Sequence, residues 1–244
     1  IYFKINNVTI KNAAVNKTVY FGNDTHRSNT IIEEANELVQ RIKNGDTLPM
    51  FTSCCPGWVK FVEHYYPEFI PNLSTCKSPQ AMFGAVLKGY YCQKNNIDPK
   101  DVFVVSVIPC TAKKFEVTRP QLRSDENYDD VDVALTTREL ARMIKRAAID
   151  FESLPEEDFD APFNKATGGG AIFGATGGVL EAALRTAARI LDGDFKKIDF
   201  EEVRGPEAVR EVTYEVAGVK INVAVTSGLG NARKLLEKIG RAHV

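Results

Sequence analysis

Two short stretches carry the residues best suited to chemistry. Cys54 and Cys55 stand side by side in FTSCCPGW (51–58), and Cys110 closes an apolar run in IPCTAKK (108–114), with Lys113 and Lys114 behind it. Thiols in loops broken by glycine and proline can ligate a soft metal centre or carry a proton. The remaining cysteines, Cys92 in YYCQKNN and with it Cys76, read as packing, because a buried cysteine behaves as a small hydrophobe. Five cysteines in a chain of 244 residues favour thiols or metal ligands over a disulfide framework. Zinc would call for paired C-x2-C spacings, which are absent, and His26, His64 and His243 form no HExxH. The glycines of 168–178 hold neither GxGxxG nor a glycine-lysine phosphate loop, so they read as a tight turn or as close backbone approach to a cofactor. An iron-sulfur or thiol site is what the spacing leaves.

The surrounding elements must place these loops. NTIIEEANELVQRIKNGD has apolar residues at 31, 32, 35, 38, 39 and 42 and ends in Asn-Gly, which predicts a helix and its stop. TLPMFTSC reads as a short strand running into the double-cysteine loop, and GWVKFVEHYY as the helix that follows. DVFVVSVI (101–108) is an apolar run of buried-strand type ending at PCTAKKFE. VDVALTT predicts another strand, and Thr136 with Glu139 a capping box that opens RELARMIKRA. After the glycine run, Val179, Leu180, Ala183, Leu184, Ala187, Ile190 and Leu191 form one helical face; VKINVAVTSG is the last strand, followed by a helix in NARKLLEKI. Strands alternating with helices predict an α/β fold of mainly parallel sheet flanked by helices, with ligands at the carboxyl ends of strands, where both cysteine loops fall.

With 44% hydrophobic residues the chain can bury one large domain or two lobes. Lysine plus arginine (31) balances aspartate plus glutamate (32), which indicates no nucleic-acid partner. No apolar run reaches membrane-spanning length, and residues 1–9 lack a secretory cleavage pattern, so no membrane association and a cytoplasmic location are expected. The Asn-x-Ser/Thr triplets at Asn7, Asn16, Asn23 and Asn72 read as chance.

TSCCPGW resembles the first signature of the FeFe-hydrogenases, and IPCTAKKFE their second, usually M-P-C-T-x-K-K-x-E. KSPQAMFGA, VALTTRELARMIK and GGGAIFGATGGVLEAALR are similar to the same catalytic domain in the same order, from about Asn29 to Lys238. The resemblance implies two lobes, split near 150–165, with the cofactor between them. That cofactor would be the H-cluster: a 4Fe-4S cube joined to a two-iron subsite with CO and CN ligands. By resemblance Cys55 and Cys110 ligate the cube, and Cys54 stays free as a proton relay. Glu34, Glu37 and Arg41, at i, i+3 and i+7 on one helix face, would form the proton route with Ser74 as its bridging hydroxyl. Lys113 would donate to a cyanide, and Ser78, Gln80, Pro109 and Phe173 would line the subsite pocket. Reversible reduction of protons to dihydrogen follows as the implied activity. The implied partners are ferredoxin or an NAD(P)-linked electron-transfer subunit, and the hydrogenase maturation proteins.

The chain departs from that pattern in places. Ile108 stands where the second signature has methionine, residues 1–28 are unassigned, and the third signature, E-x-M-x-C-x-G-G-C, is absent. The closing IGRAHV (239–244) is what ATC GGA AGA GCA CAC GTC encodes, a common sequencing-adapter sequence, and is expected to be read-through. With two of four cube thiolates, this polypeptide alone is expected to be inactive. The alternatives are a hydrogenase-like iron-sulfur assembly factor, which needs neither Cys54 nor Lys113, and a sensory hydrogenase, which tends to lose the relay cysteine.

Overall fold

In the computed structural model, residues 25–155, 172–173, 175–192, 209–216 and 219–242 are described. They fall into two compact units, residues 77–155 in one and the rest, from Arg27 on, in the other.

In the first unit the chain enters α3 (Pro79–Val86), which follows α1 (Thr25–Asn44) and α2 (Pro56–Tyr65) in chain order, through Ser78, whose hydroxyl accepts from the Ala81 amide. The helix runs on through a π turn, Leu87–Tyr91, and a last turn, Cys92–Lys94. Buried Lys88 pins that turn to the Asp129 carbonyl and, at 2.9 Å, to Asp132 Oδ2. The expected strand of 101–108 is shorter than its apolar run: only Val105–Val107 (β1) pairs, in parallel, with Val133–Leu135 (β2). Val102 and Val104 leave the ladder and join Phe83, Leu87, Cys92 and Val131 in the core. The first turn of the run is a 3-10 turn (Pro99–Asp101) capped by Asp98, which shortens the strand. Gly84 makes the packing of α3 feasible, since a Cβ there would stand 2.4 Å from the Asp130 carbonyl oxygen. After β1 come α4 (Ala112–Glu116) and, beyond β2, α5 (Thr137–Arg146), which opens on the expected reciprocal capping box of Thr136 and Glu139.

The second unit opens with α1 (Thr25–Asn44), closed by Gly45 at φ +70, where a left-handed residue is needed. Ile31, Ala35 and Val39 are its buried stripe, whereas Ile32 is exposed. Thr52 to Cys55 is irregular: the strand expected there reduces to one parallel bridge, Phe51 with Leu73. Then comes α2 (Pro56–Tyr65). In α6 (Gly178–Asp192), Ala182, Leu184, Ala187 and Ala188 face inward and Ile190 is exposed, a stripe rotated slightly from the apolar face of the sequence. Glu181 is wholly buried in an ion pair with Arg185 at 2.8 Å. Val219–Thr226 (β4) is the expected last strand. Its partner Val209–Val216 (β3) is antiparallel, whereas the other strand pair among the described residues, β1 with β2, is parallel. Leu38, Leu184, Ala188, Tyr214 and Ile221 join α1, α6 and the hairpin, and α7 (Leu229–Ala242) ends the described chain.

Candidate functional site

The double-cysteine loop is held by its neighbours' aromatic rings. Phe51 meets Trp58 edge to face at 5.9 Å, Trp58 stacks on Phe61 at 6.2 Å, and the Trp58 indole N–H donates to the Thr52 carbonyl at 3.1 Å. Cys54 comes out half-buried and Cys55 exposed at the residue that caps α2, neither of them in a disulfide.

Beside this loop runs a polar chain from α1. Arg41 grips Glu37 Oε1 through Nη2 (2.7 Å) and Nε (3.1 Å). Its other donors reach the carbonyls of Thr47 (3.0 Å), Pro71 (3.2 Å) and Leu73 (2.8 Å). Glu37 also accepts from the Ser74 hydroxyl at 2.7 Å and the Thr75 amide at 3.0 Å. Burial alone would raise the Glu37 pKa, but the Ser74, Thr75 and Arg41 donors outweigh it and hold the carboxyl below its ordinary value.

Glu34, one turn earlier, is its opposite. It is 1% exposed and neither carboxyl oxygen has a hydrogen-bond partner. Burial first, and the Glu37 charge second, push it up to about 7; the Ser53 amide pulls the other way without reaching hydrogen-bonding geometry. Two carboxyls on one helix face are thus driven apart, one kept ionised and one poised near neutrality. Ser74 joins the line through Glu37, to which its hydroxyl donates, while the oxygens of Glu34 stay open.

The sequence reading passed over Cys76, which belongs to this chain. Its thiol donates to Glu37 Oε2 at 3.4 Å, its amide to Ser74 Oγ at 3.1 Å, and its carbonyl accepts from Ser53 Oγ at 2.8 Å. Burial, with both carboxylates nearby, pushes its pKa up to about 12, so it stays a thiol. No spacing in the sequence signals this, since Cys76 reaches α1 only through the fold.

The first unit holds a second cluster. Ser78 Oγ donates to Glu116 Oε2 at 2.7 Å, Gln80 Nε2 to the same oxygen at 2.8 Å, and Lys113 Nζ to both Glu116 oxygens at 3.0 Å. All four side chains are buried, and Gln80 Oε1 is left without a partner. Glu116 was not singled out from the sequence, although it closes the second signature and lies three residues after Lys113 on α4. Cys110 follows β1 as a half-buried free thiol, and Pro109 beside it is exposed. Phe173 is half-buried just before α6, while much of the glycine run, 168–171 and Gly174, lies outside the described residues.

As cluster ligands, Cys55 and Cys110 fit by donor type: both are free and off the core, and soft thiolates are what iron-sulfur clusters take. Cys92, fully buried among Phe83, Leu87 and Val104, is packing as expected. No group of three or more His, Cys, Asp or Glu able to hold a metal ion gathers among the described residues. Nor is any helix there long and apolar enough to cross a membrane.

The chain is similar to known proteins. The chain is 49% identical over 227 residues to the NADP-reducing hydrogenase subunit HndD of Solidesulfovibrio fructosivorans, covering 90% of this chain and 39% of that protein. It is 48% identical over 215 residues to the periplasmic Fe hydrogenase large subunit of Nitratidesulfovibrio vulgaris, covering 86% and 50%. The chain therefore spans half or less of these relatives' length. An apo FeFe-hydrogenase from Chlamydomonas reinhardtii superposes with a TM-score of 0.75 at 36% identity, over 90% of this chain and 63% of that one. More distant is the cytosolic Fe-S cluster assembly factor narfl of Xenopus tropicalis, 31% identical over 91% of this chain and 49% of that protein. Matched from residue 14 to residue 244 by the iron only hydrogenase large subunit, C-terminal domain, the chain belongs to that family.

Proposed function

We propose that this chain is part of the catalytic domain of an FeFe-hydrogenase that interconverts protons, electrons and dihydrogen. The observation that carries the reading is the split pair on α1: Glu37 held ionised by Arg41 and Ser74, and Glu34 buried, unpartnered and poised near neutrality. A carboxyl with a pKa near neutrality can take up and release a proton at working pH, which a solvated surface charge has no need to do. Arg41 grips Glu37 and the carbonyls of Pro71 and Leu73, so its part in the route is to hold Glu37 and the 71–73 backbone in place.

The Glu34 carboxyl faces the Ser53 amide, next to Cys54, which supports Cys54 as the group that exchanges protons with the route. The H-cluster, when bound, supplies the redox chemistry. Cys55 and Cys110 are its ligands from this chain, while Lys113, Ser78, Gln80, Pro109 and Phe173 line the two-iron subsite. The greater identity to hydrogenases than to the assembly factor supports the enzyme reading. Electrons come from ferredoxin or, as the name of one relative suggests, an NAD(P)-linked subunit, and maturation proteins install the subsite. A cytosolic location is the reading favoured by the free cysteines, although one relative is periplasmic.

The test is hydrogen evolution from reduced viologen by the full-length protein produced with the maturation proteins. Turnover above a no-protein control, with CO and CN infrared bands, is expected. Bands without turnover would point to a sensory role instead, and iron without bands to an assembly role.

A further inference from the structure

Three of the side chains assigned to the subsite from the first unit share one acceptor. Ser78, Gln80 and Lys113 all donate to Glu116, at 2.7, 2.8 and 3.0 Å, and Glu116 is 4% exposed. Resting on the hydrogenase reading above, we propose that Glu116 is a positioning residue of the two-iron subsite pocket, aiming Ser78, Gln80 and Lys113 before the cofactor is installed.

The physical case has three parts. A buried ammonium needs a buried counter-charge, and Lys113 finds it three residues along α4, with both carboxylate oxygens engaged. Charge-assisted bonds are short and directional, so two donors from the start of α3 and one from α4 are locked to a single carboxylate. The state of Gln80 shows which interaction dictates the geometry. Its Nε2 is spent on Glu116 and, at 3.4 Å, on the Lys113 carbonyl, while its Oε1 is buried with no donor. An amide free to choose would turn to satisfy that oxygen, since an unmet buried acceptor costs about 1–3 kcal/mol. Glu116 fixes the orientation and leaves an open acceptor in its place. Its role runs through Lys113, Ser78 and Gln80, in the manner of outer-shell partners that orient the groups touching a metal centre.

The experiment compares wild type, Glu116→Gln and Glu116→Asp in the full-length matured protein, by infrared spectroscopy, iron content and melting temperature. Glu116→Gln removes the counter-charge at nearly constant shape. It is expected to leave the cube iron unchanged, move the CN bands, and lower subsite occupancy about tenfold. Glu116→Asp, which restores the charge, should recover both in part. Unchanged CN bands and occupancy in Glu116→Gln overturn the proposal. So does a loss of melting temperature in both variants with no recovery by Glu116→Asp, because it would leave Glu116 as a fold support only. A wild type lacking CO and CN bands altogether sinks the hydrogenase reading itself, a result read before any variant is made.

Discussion

Glu34 and Glu37, one turn apart on α1, titrate in opposite directions: burial and the Glu37 charge lift Glu34 to about 7, while the Ser74, Thr75 and Arg41 donors outweigh burial to lower Glu37. The contrast comes from surroundings alone, since the two side chains are chemically identical. In the proposed route it would set the acid-base behaviour, with consequences for stability as well as for turnover.

Folded Glu34 holds its proton more tightly than unfolded Glu34, so ionising it in place opposes folding. Native stability should therefore fall as pH rises from 4.5 to about 7, with the full penalty standing above that range. Glu34→Gln removes this dependence. Its stability relative to wild type should improve by on the order of 3 kcal/mol between the acid and alkaline sides of that window. Urea unfolding of the cofactor-free full-length protein across pH checks it, and a difference between the two proteins that does not vary with pH would contradict the burial of an ionisable Glu34.

In the matured protein, the same Glu34→Gln substitution should slow hydrogen turnover by about a hundredfold or more, with CO and CN bands unmoved, because an amide cannot change protonation state as a general acid does. Wild-type rates would reduce Glu34 to a buried structural carboxyl.

Arg41 and Glu37 predict a structural effect of a different size. Arg41→Lys keeps the charge but loses the two-pronged grip on Glu37 and most of the bonds to the Thr47, Pro71 and Leu73 carbonyls. Destabilisation of about 2 kcal/mol is expected from the carbonyls left unpaired, measurable as a lower urea midpoint at constant slope. A neutral effect would mean that the 71–73 backbone is held by other contacts.

The cysteines divide by outcome. Cys54→Ala in the full-length protein should keep its iron while abolishing turnover, and Cys55→Ala and Cys110→Ala should lose cluster. Iron analysis and viologen assays on the three variants separate relay from ligand; equal iron loss in all three would remove the distinction.

At Gly84 two effects oppose each other. Replacing a helical glycine by alanine favours the helix by about 1 kcal/mol. The new Cβ would meet the Asp130 carbonyl oxygen at 2.4 Å, backbone that cannot swing aside, and overpacking of that kind costs about 1–3 kcal/mol. Gly84→Ala is expected to lower the melting temperature, and a rise would show that the α3 contact yields.

Much of the candidate site is legible in the sequence, because signature loops are local: the Cys54–Cys55 pair, Cys110 and Lys113 lie in contiguous stretches, and Glu34, Glu37 and Arg41 fall on one face by helical period alone. The Thr136–Glu139 capping box is equally local, which is why it stands where the sequence placed it. The tertiary structure decided what depends on contacts between distant residues. It shortened the 101–108 strand to Val105–Val107 by taking Val102 and Val104 into the core, and it paired β4 antiparallel with a strand the sequence reading had not marked. It brought Cys76 to Glu37 across 39 positions and Ser78 to Glu116 across 38. Period and propensity report on a residue's own turn or strand, whereas a hydrogen bond between buried side chains depends on where packing leaves each of them. Sequence alone therefore determined which residue types the site has available, and only the fold decided which carboxyl is paired, which stands open, and what each can do with a proton.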